Sequence, residues 1–148
     1  GQVMAGVVYL PAMDKLYAAT AQGPATLNGV AIRTAGLAGE PRVLTSKSTL
    51  APEHWPGGVP TLHRHFRAGM AWRMCLVAEG AFDAMLTLRP SWEWDIAAGA
   101  LIAARAGALV SDRHGQALRF NAPDPRSAGV VVAGPDLHGD LVARLAPQ

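Results

Sequence analysis

Trp94-Asp95-Ile96-Ala97-Ala98-Gly99-Ala100-Leu101-Ile102-Ala103-Ala104-Arg105-Ala106-Gly107-Ala108-Leu109-Val110-Ser111 decides the fold class of this chain. Trp94 to Ala106 reads as its best helix, and Gly107 closes it. Ala108 to Ser111 is short and apolar, which reads as a strand. The same alternation runs in both directions. Upstream, Ala71 to Glu79 has helical spacing, with Met74, Cys75 and Ala78 on one side and Gly80 at its end. Phe82 to Leu88 then reads as a strand, followed by a loop from Arg89 to Glu93. Downstream, His114-Gly115 makes a turn, Val130 to Ala133 is a buried strand, and Asp136 opens an amphipathic helix. Helices alternating with strands predict an α/β layered domain with a mixed sheet flanked by helices.

The N-terminal portion has a different rhythm. Val3 to Tyr9 reads as a strand stopped by Pro11, and Lys15 to Thr20 as its partner. Asn28-Gly29 is a hairpin signal, with arms Ala25 to Leu27 and Val30 to Arg33. Ala35 to Pro41 is a small-residue connector. Residues 1–40 are therefore expected to be antiparallel strands of an incomplete sheet domain, and 41–148 a C-terminal α/β domain. Between the connector and the first predicted helix, Arg42 to Thr45 and Thr61 to Phe66 read as strands. Pro52 to Pro60 reads as loop or broken helix.

Bulk properties bound the function. Half of the 148 residues are hydrophobic and 16% are charged, so the chain is globular. Net charge is only +2, without a Lys/Arg run, which argues against a nucleic-acid polymer as partner. No apolar run approaches the ~20 residues of a membrane span, so no transmembrane segment is expected. The lone Cys75 suits a reducing cytoplasm. The sequence starts without Met and enters a strand almost at once, which suggests that an N-terminal portion is missing. An exposed sheet edge left by that portion would make the chain sticky or dimeric.

Asp95 is the chemically interesting residue. It is the carboxylate at the start of the long apolar helix, facing the positive end of the helix dipole and free N–H groups. Local sequence allows two readings: an N-cap, or a ligand for a hard cation such as Mg²⁺. Small residues behind it, Ala97 to Ala100, suit close packing. Trp94 reads as core and Glu93 as a solvated loop acid.

Three blocks in order then carry a resemblance. They are Cys75-Leu76-Val77-Ala78-Glu79-Gly80-Ala81-Phe82-Asp83-Ala84, Glu93 to Gly99, and Ala106-Gly107-Ala108-Leu109-Val110-Ser111-Asp112-Arg113-His114-Gly115. With Gly6-Val7-Val8-Tyr9-Leu10-Pro11 and Asn28-Gly29, they resemble the C-terminal half of the inositol monophosphatase superfamily. That group of Mg²⁺-dependent phosphatases includes the 3′(2′),5′-bisphosphate nucleotidases. The resemblance implies a layered sandwich of the sugar phosphatase type and a catalytic Mg²⁺ on Asp95, which would also lie close to substrate. The family's Glu-Glu and Asp-Pro-x-Asp-Gly-Thr metal-ligand segments are not in this sequence. One carboxylate does not hold a metal cluster, so the 148 residues alone are expected to be inactive.

The branch is read from lesser features. No acid stands near Leu88 and Arg89, where inositol phosphatases carry a Glu. Glu93-Trp94-Asp95, Ser46-Lys47-Ser48 and Arg73 resemble the nucleotidases. Lys47, Arg73 and Arg89 are thus candidate phosphate ligands beside Asp95, against the alternative of solvated surface. The expected substrate is a small phosphorylated molecule, with the 3′-phosphate of adenosine 3′,5′-bisphosphate favoured. The rivals are inositol 1-phosphate or another sugar phosphate, and a non-catalytic module that binds a phosphorylated ligand or partner. His63 and His65 share a strand face and could bind metal, but have no third ligand nearby. Cys75 reads as core. Asp112 and His114 read as hairpin residues.

Overall fold

The computed structural model describes residues Gly1–Gln148. Four antiparallel strands open the chain: β1 (Ala5–Leu10), β2 (Lys15–Thr20), β3 (Thr26–Leu27) and β4 (Val30–Ala31), adjacent in that order. Asn28 and Gly29 both have positive φ, 49° and 79°, as a tight primed turn between β3 and β4 requires. The five-stranded sheet has the order β6-β5-β7-β11-β9. Its strands are β5 (Arg42–Leu44), β6 (His63–His65), β7 (Ala84–Thr87), β9 (Leu109–Ser111) and β11 (Val130–Ala133). β5 runs parallel to β6 and β7, while β11 is antiparallel to β7 and β9, so the sheet is mixed as expected.

Three helices complete the fold: α1 (Met70–Ala78), α2 (Glu93–Arg105) and α3 (Pro135–Leu145). Alternation along the central strands sorts the core into two compartments. Met85, Val130 and Val132 face one buried cluster, with α1, α2, Tyr17 and Ala19. Ala84, Leu86, Val131 and Ala133 face the other, with Trp55 and with Leu137, Leu141 and Leu145 of α3. The layers are thus sheet, helix pair, sheet, helix. Tyr17 and Ala19 of the first sheet belong to the same cluster as the helix pair. The far face of that sheet leaves Val7, Tyr9 and Leu16 exposed.

The small residues of α2 are explained by its place in the middle layer. A Cβ on Gly6 of β1 would lie 2.9 Å from the Ala98 Cα, and one on Gly99 2.6 Å from the Met74 Sδ of α1. Ala98 thus admits the first sheet, and Gly99 admits α1. The helix that carries Asp95 is wedged between two neighbours.

Several expected boundaries shift. Thr61 to Phe66 keeps only His63–His65 as strand, on the sheet edge. The segment Arg89 to Glu93 is not all loop. Ser91–Trp92 forms β8 and pairs with β10 (Arg126–Ser127), and Glu93 is already helical. A two-residue ladder is too short to leave a periodic signal. Trp94 is not core but 68% exposed.

Candidate functional site

The ladder of β8 and β10 feeds the chain into α2 and sets where its first turn points. Trp92 is the N-cap and makes no side-chain capping bond. Asp95 is the third helical residue, so the N-cap reading is corrected: it sits inside the first turn, where a carboxylate is still favoured by the dipole. Its side chain is exposed and opens onto a cavity of about 380 Å³.

Arg73, Arg89, Thr87, Ser46 and Trp92 line the same cavity. Arg73, on the second turn of α1, stacks over Phe66 at 4.6 Å and donates from Nε to the Arg67 carbonyl. Burial lowers its pKa from the ordinary guanidinium value; it stays cationic at any physiological pH. Arg89 is exposed, and its backbone N–H donates to Thr87 Oγ1 at 3.4 Å. No carboxylate pairs with either guanidinium. Of the residues expected to meet substrate, Asp95, Arg73 and Arg89 are brought together, whereas Lys47 is exposed and does not line the cavity. Its neighbour Ser46 does, with Oγ 2.8 Å from Thr49 Oγ1.

Glu93 is not a solvated acid. It accepts hydrogen bonds from the backbone N–H groups of Asn121 at 2.8 Å and Ala122 at 3.2 Å. It therefore clamps the loop that leads into β10. Trp92 and Trp94 stack, with centroids 4.7 Å apart and planes 9° apart. Arg126 lies over the Trp92 ring at 5.6 Å and is held by Asp124 through two bonds of 2.8 and 2.9 Å. Reading Trp94 as core missed this stack. Its sequence signal was two Trp two residues apart flanking an acid.

The remaining candidates have structural tasks. His63 contacts Glu40 at 3.1 Å, while His65 packs edge-on against Phe82. Asp112 Oδ1 accepts from the N–H groups of His114 and Gln116, making the hairpin turn. Cys75 is buried, and burial with the nearby Glu79 charge pushes its thiol up to about 12. Such a thiol is not a nucleophile at neutral pH.

A hard cation needs more than this chain offers. No three His, Cys, Asp or Glu side chains gather anywhere in it. Asp95 fits as one oxygen ligand of such an ion, not as a complete site.

Two guanidinium groups without a carboxylate partner and one carboxylate thus share a single cavity in a helix-flanked mixed sheet, which makes this an α/β protein with a cation-lined cleft. The chain belongs to the inositol monophosphatase family, whose sequence profile matches residues 1–148. It is 33% identical to an inositol-1-monophosphatase of Mesorhizobium japonicum, over 90% of this chain and 52% of that protein. It is 34% identical to a 3′(2′),5′-bisphosphate nucleotidase of Escherichia coli, over 81% of this chain and 50% of that protein. A hypothetical protein of Pyrococcus horikoshii, described as similar to inositol-1 monophosphatase, superposes with a TM-score of 0.79 at 24% identity. That superposition covers 98% of this chain and 58% of the other. The chain thus spans about half the length of the curated relatives it matches. No helix is long and apolar enough to cross a membrane. Enzymes of this family generally use divalent metal ions.

Proposed function

We propose that the polypeptide carrying these residues is a Mg²⁺-dependent phosphate monoesterase acting on the 3′-phosphate of adenosine 3′,5′-bisphosphate or a related nucleotide. The observation that carries this reading is the placement of Arg73, Arg89 and Asp95 on one cavity. Two unpaired guanidinium groups suit a substrate with two phosphates. Asp95 supplies one carboxylate to the metal, whose chemistry would be to activate water and neutralise phosphoryl oxygens. The chain's own contribution is to bind and orient: the guanidinium pair holds phosphate, and the buried body of α2 fixes Asp95. The nucleotidase relative in E. coli supports this choice.

Inositol 1-phosphate is the second reading, supported by the relative in M. japonicum. Against it, Leu88 is buried among apolar residues, and no acid near it faces the cavity to hold an inositol hydroxyl. The third reading is a non-catalytic phosphoryl-binding fragment, supported by the single carboxylate. Phosphate release from adenosine 3′,5′-bisphosphate and from inositol 1-phosphate, with and without Mg²⁺, separates the three. The measurement belongs on the longest native polypeptide that contains this chain. Faster Mg²⁺-dependent release from the nucleotide is expected. We also propose a cytoplasmic setting and self-association of the isolated chain through its open first sheet, which sedimentation would detect.

A further inference from the structure

We infer that Phe66 is a positioning residue for phosphate recognition: its ring holds the Arg73 guanidinium ready in the cavity, so that Arg73 meets the substrate already in place while Arg89 is recruited to it. This rests on the phosphatase reading of the same cavity and goes beyond it by giving a task to an aromatic side chain outside the matched blocks.

Phe66 lines the cavity beside Arg73, is 52% exposed and belongs to neither buried cluster. Its partner is a cation. The Arg73 guanidinium lies 4.6 Å from the ring centroid, the tightest guanidinium–ring approach in the chain. The same guanidinium is held at a second point, where Arg73 Nε donates to the Arg67 carbonyl. Stacking fixes the plane of the guanidinium, and the Nε bond fixes its rotation within that plane. The cradle is itself anchored. Arg67 Nη1 donates to the Phe66 carbonyl at 2.8 Å, its guanidinium sits 5.4 Å over the Phe82 ring, and His65 packs edge-on against the same ring. Phe82 thus anchors the residues on both sides of Phe66. Arg73 Nη2 has no protein partner, and Nη1 touches only the Met70 sulfur, at 3.9 Å. These two nitrogens remain as the paired donors that a phosphate takes in bidentate fashion. Arg89 differs: it is exposed, and only its backbone N–H is hydrogen-bonded. Fixing its side chain on a phosphate costs conformational freedom that Arg73 has already given up. A group in place before substrate arrives binds ground state and transition state alike, so its loss is read in KM and not in kcat.

The test is steady-state hydrolysis by the longest native polypeptide that contains this chain. The substrate is whichever of adenosine 3′,5′-bisphosphate and inositol 1-phosphate it turns over faster. Calorimetric titration with inorganic pyrophosphate, without Mg²⁺, runs alongside. Phe66→Leu keeps the apolar bulk and removes the π-face; it is expected to raise KM about five- to tenfold and to leave kcat within about twofold. Phe66→Tyr is expected to keep the original KM, whereas a packing role would be served by Leu as well. In an Arg73→Gln background, Phe66→Leu should raise KM no further. Thermal melts verify that each variant is folded, and the loop position of Phe66 makes large losses unexpected. An unchanged KM in Phe66→Leu, an equal rise in Phe66→Leu and Phe66→Tyr, or a full further rise in the Arg73→Gln background overturns the assignment. Pyrophosphate separates the two levels of failure. A polypeptide that hydrolyses neither ester but loses pyrophosphate affinity about fivefold in Phe66→Leu refutes the phosphatase reading and keeps the positioning role. Hydrolysis with a KM untouched by Phe66→Leu refutes the positioning role alone. Absent hydrolysis, with pyrophosphate unbound or bound equally by both proteins, refutes the two together.

Discussion

Ser111 Oγ and His138 Nε2 lie 2.8 Å apart, both residues buried, tying the end of β9 to α3. Ser111 Oγ donates to the Asp112 carbonyl at 2.8 Å, so it accepts the imidazole N–H. Burial lowers the His138 pKa below its ordinary value of 6.5. The folded state therefore binds its proton less well than the unfolded chain does. The corresponding stability is complete above the unfolded pKa and declines as pH falls through about 6.5 toward the lower folded value. Urea midpoints are expected to drop between pH 7.5 and 5.5 in the unaltered protein, and to drop less in His138→Leu. Equal pH slopes in the two proteins would refute the assignment.

Gly99→Ala is expected to destabilise the protein by about 1–3 kcal/mol, even though alanine is the better helix former by about 1 kcal/mol. The added Cβ would meet the Met74 Sδ at 2.6 Å and its Cβ at 2.9 Å. The sulfur can swing aside, but the Met74 Cβ is fixed to α1, so packing outweighs propensity. Met74→Ala removes the Cγ and Sδ but keeps the Cβ, so it should recover only the share of the loss due to the sulfur end, and a double-mutant cycle on denaturant midpoints measures that coupling.

Glu93→Ala removes the acceptor for two backbone N–H groups. Both bonds are charge-assisted and partly screened by solvent, so a loss of about 1–2 kcal/mol is expected. The local effect should exceed the global one. Amide exchange at Asn121 and Ala122 should accelerate more than exchange in β11, whereas uniform acceleration would mean that Glu93 serves the whole fold.

The layered α/β core was legible because its signals are long and periodic. Val130 to Ala133 coincides with β11, and the Ala-rich run after Trp94 is α2 within one residue at each end. The approach of α1 to Gly99 and of the first sheet to Ala98 was foreshadowed by the small residues of α2, although their neighbours were not readable. The site was legible only in part. Asp95, Arg73 and Arg89 line one cavity; Asp95 lies within a matched block, and Arg73 and Arg89 lie shortly before one. Lys47 stays outside, because the turn Lys47–Leu50 points Ser46 inward instead. The tasks of Glu93 and Trp92 depend on residues 121 to 127, about thirty positions away, through a two-residue ladder that no local pattern announces.

Asp95→Asn separates folding from chemistry. The carboxylate is exposed, joins no ion pair and caps no helix, so its replacement should move stability by no more than about 0.5 kcal/mol, chiefly through the helix dipole. Activity should respond differently. If Asp95 is the oxygen ligand that this half of the site gives to Mg²⁺, the amide is a far weaker ligand for a hard cation. Phosphate release by the longer polypeptide should then fall at least ~100-fold, and the Mg²⁺ concentration for half-maximal activity should rise. A variant with native melting behaviour, native activity and unchanged Mg²⁺ dependence would remove Asp95 from the metal site. The cavity would then be left to Arg73 and Arg89, which is the arrangement of a binding module rather than a phosphatase.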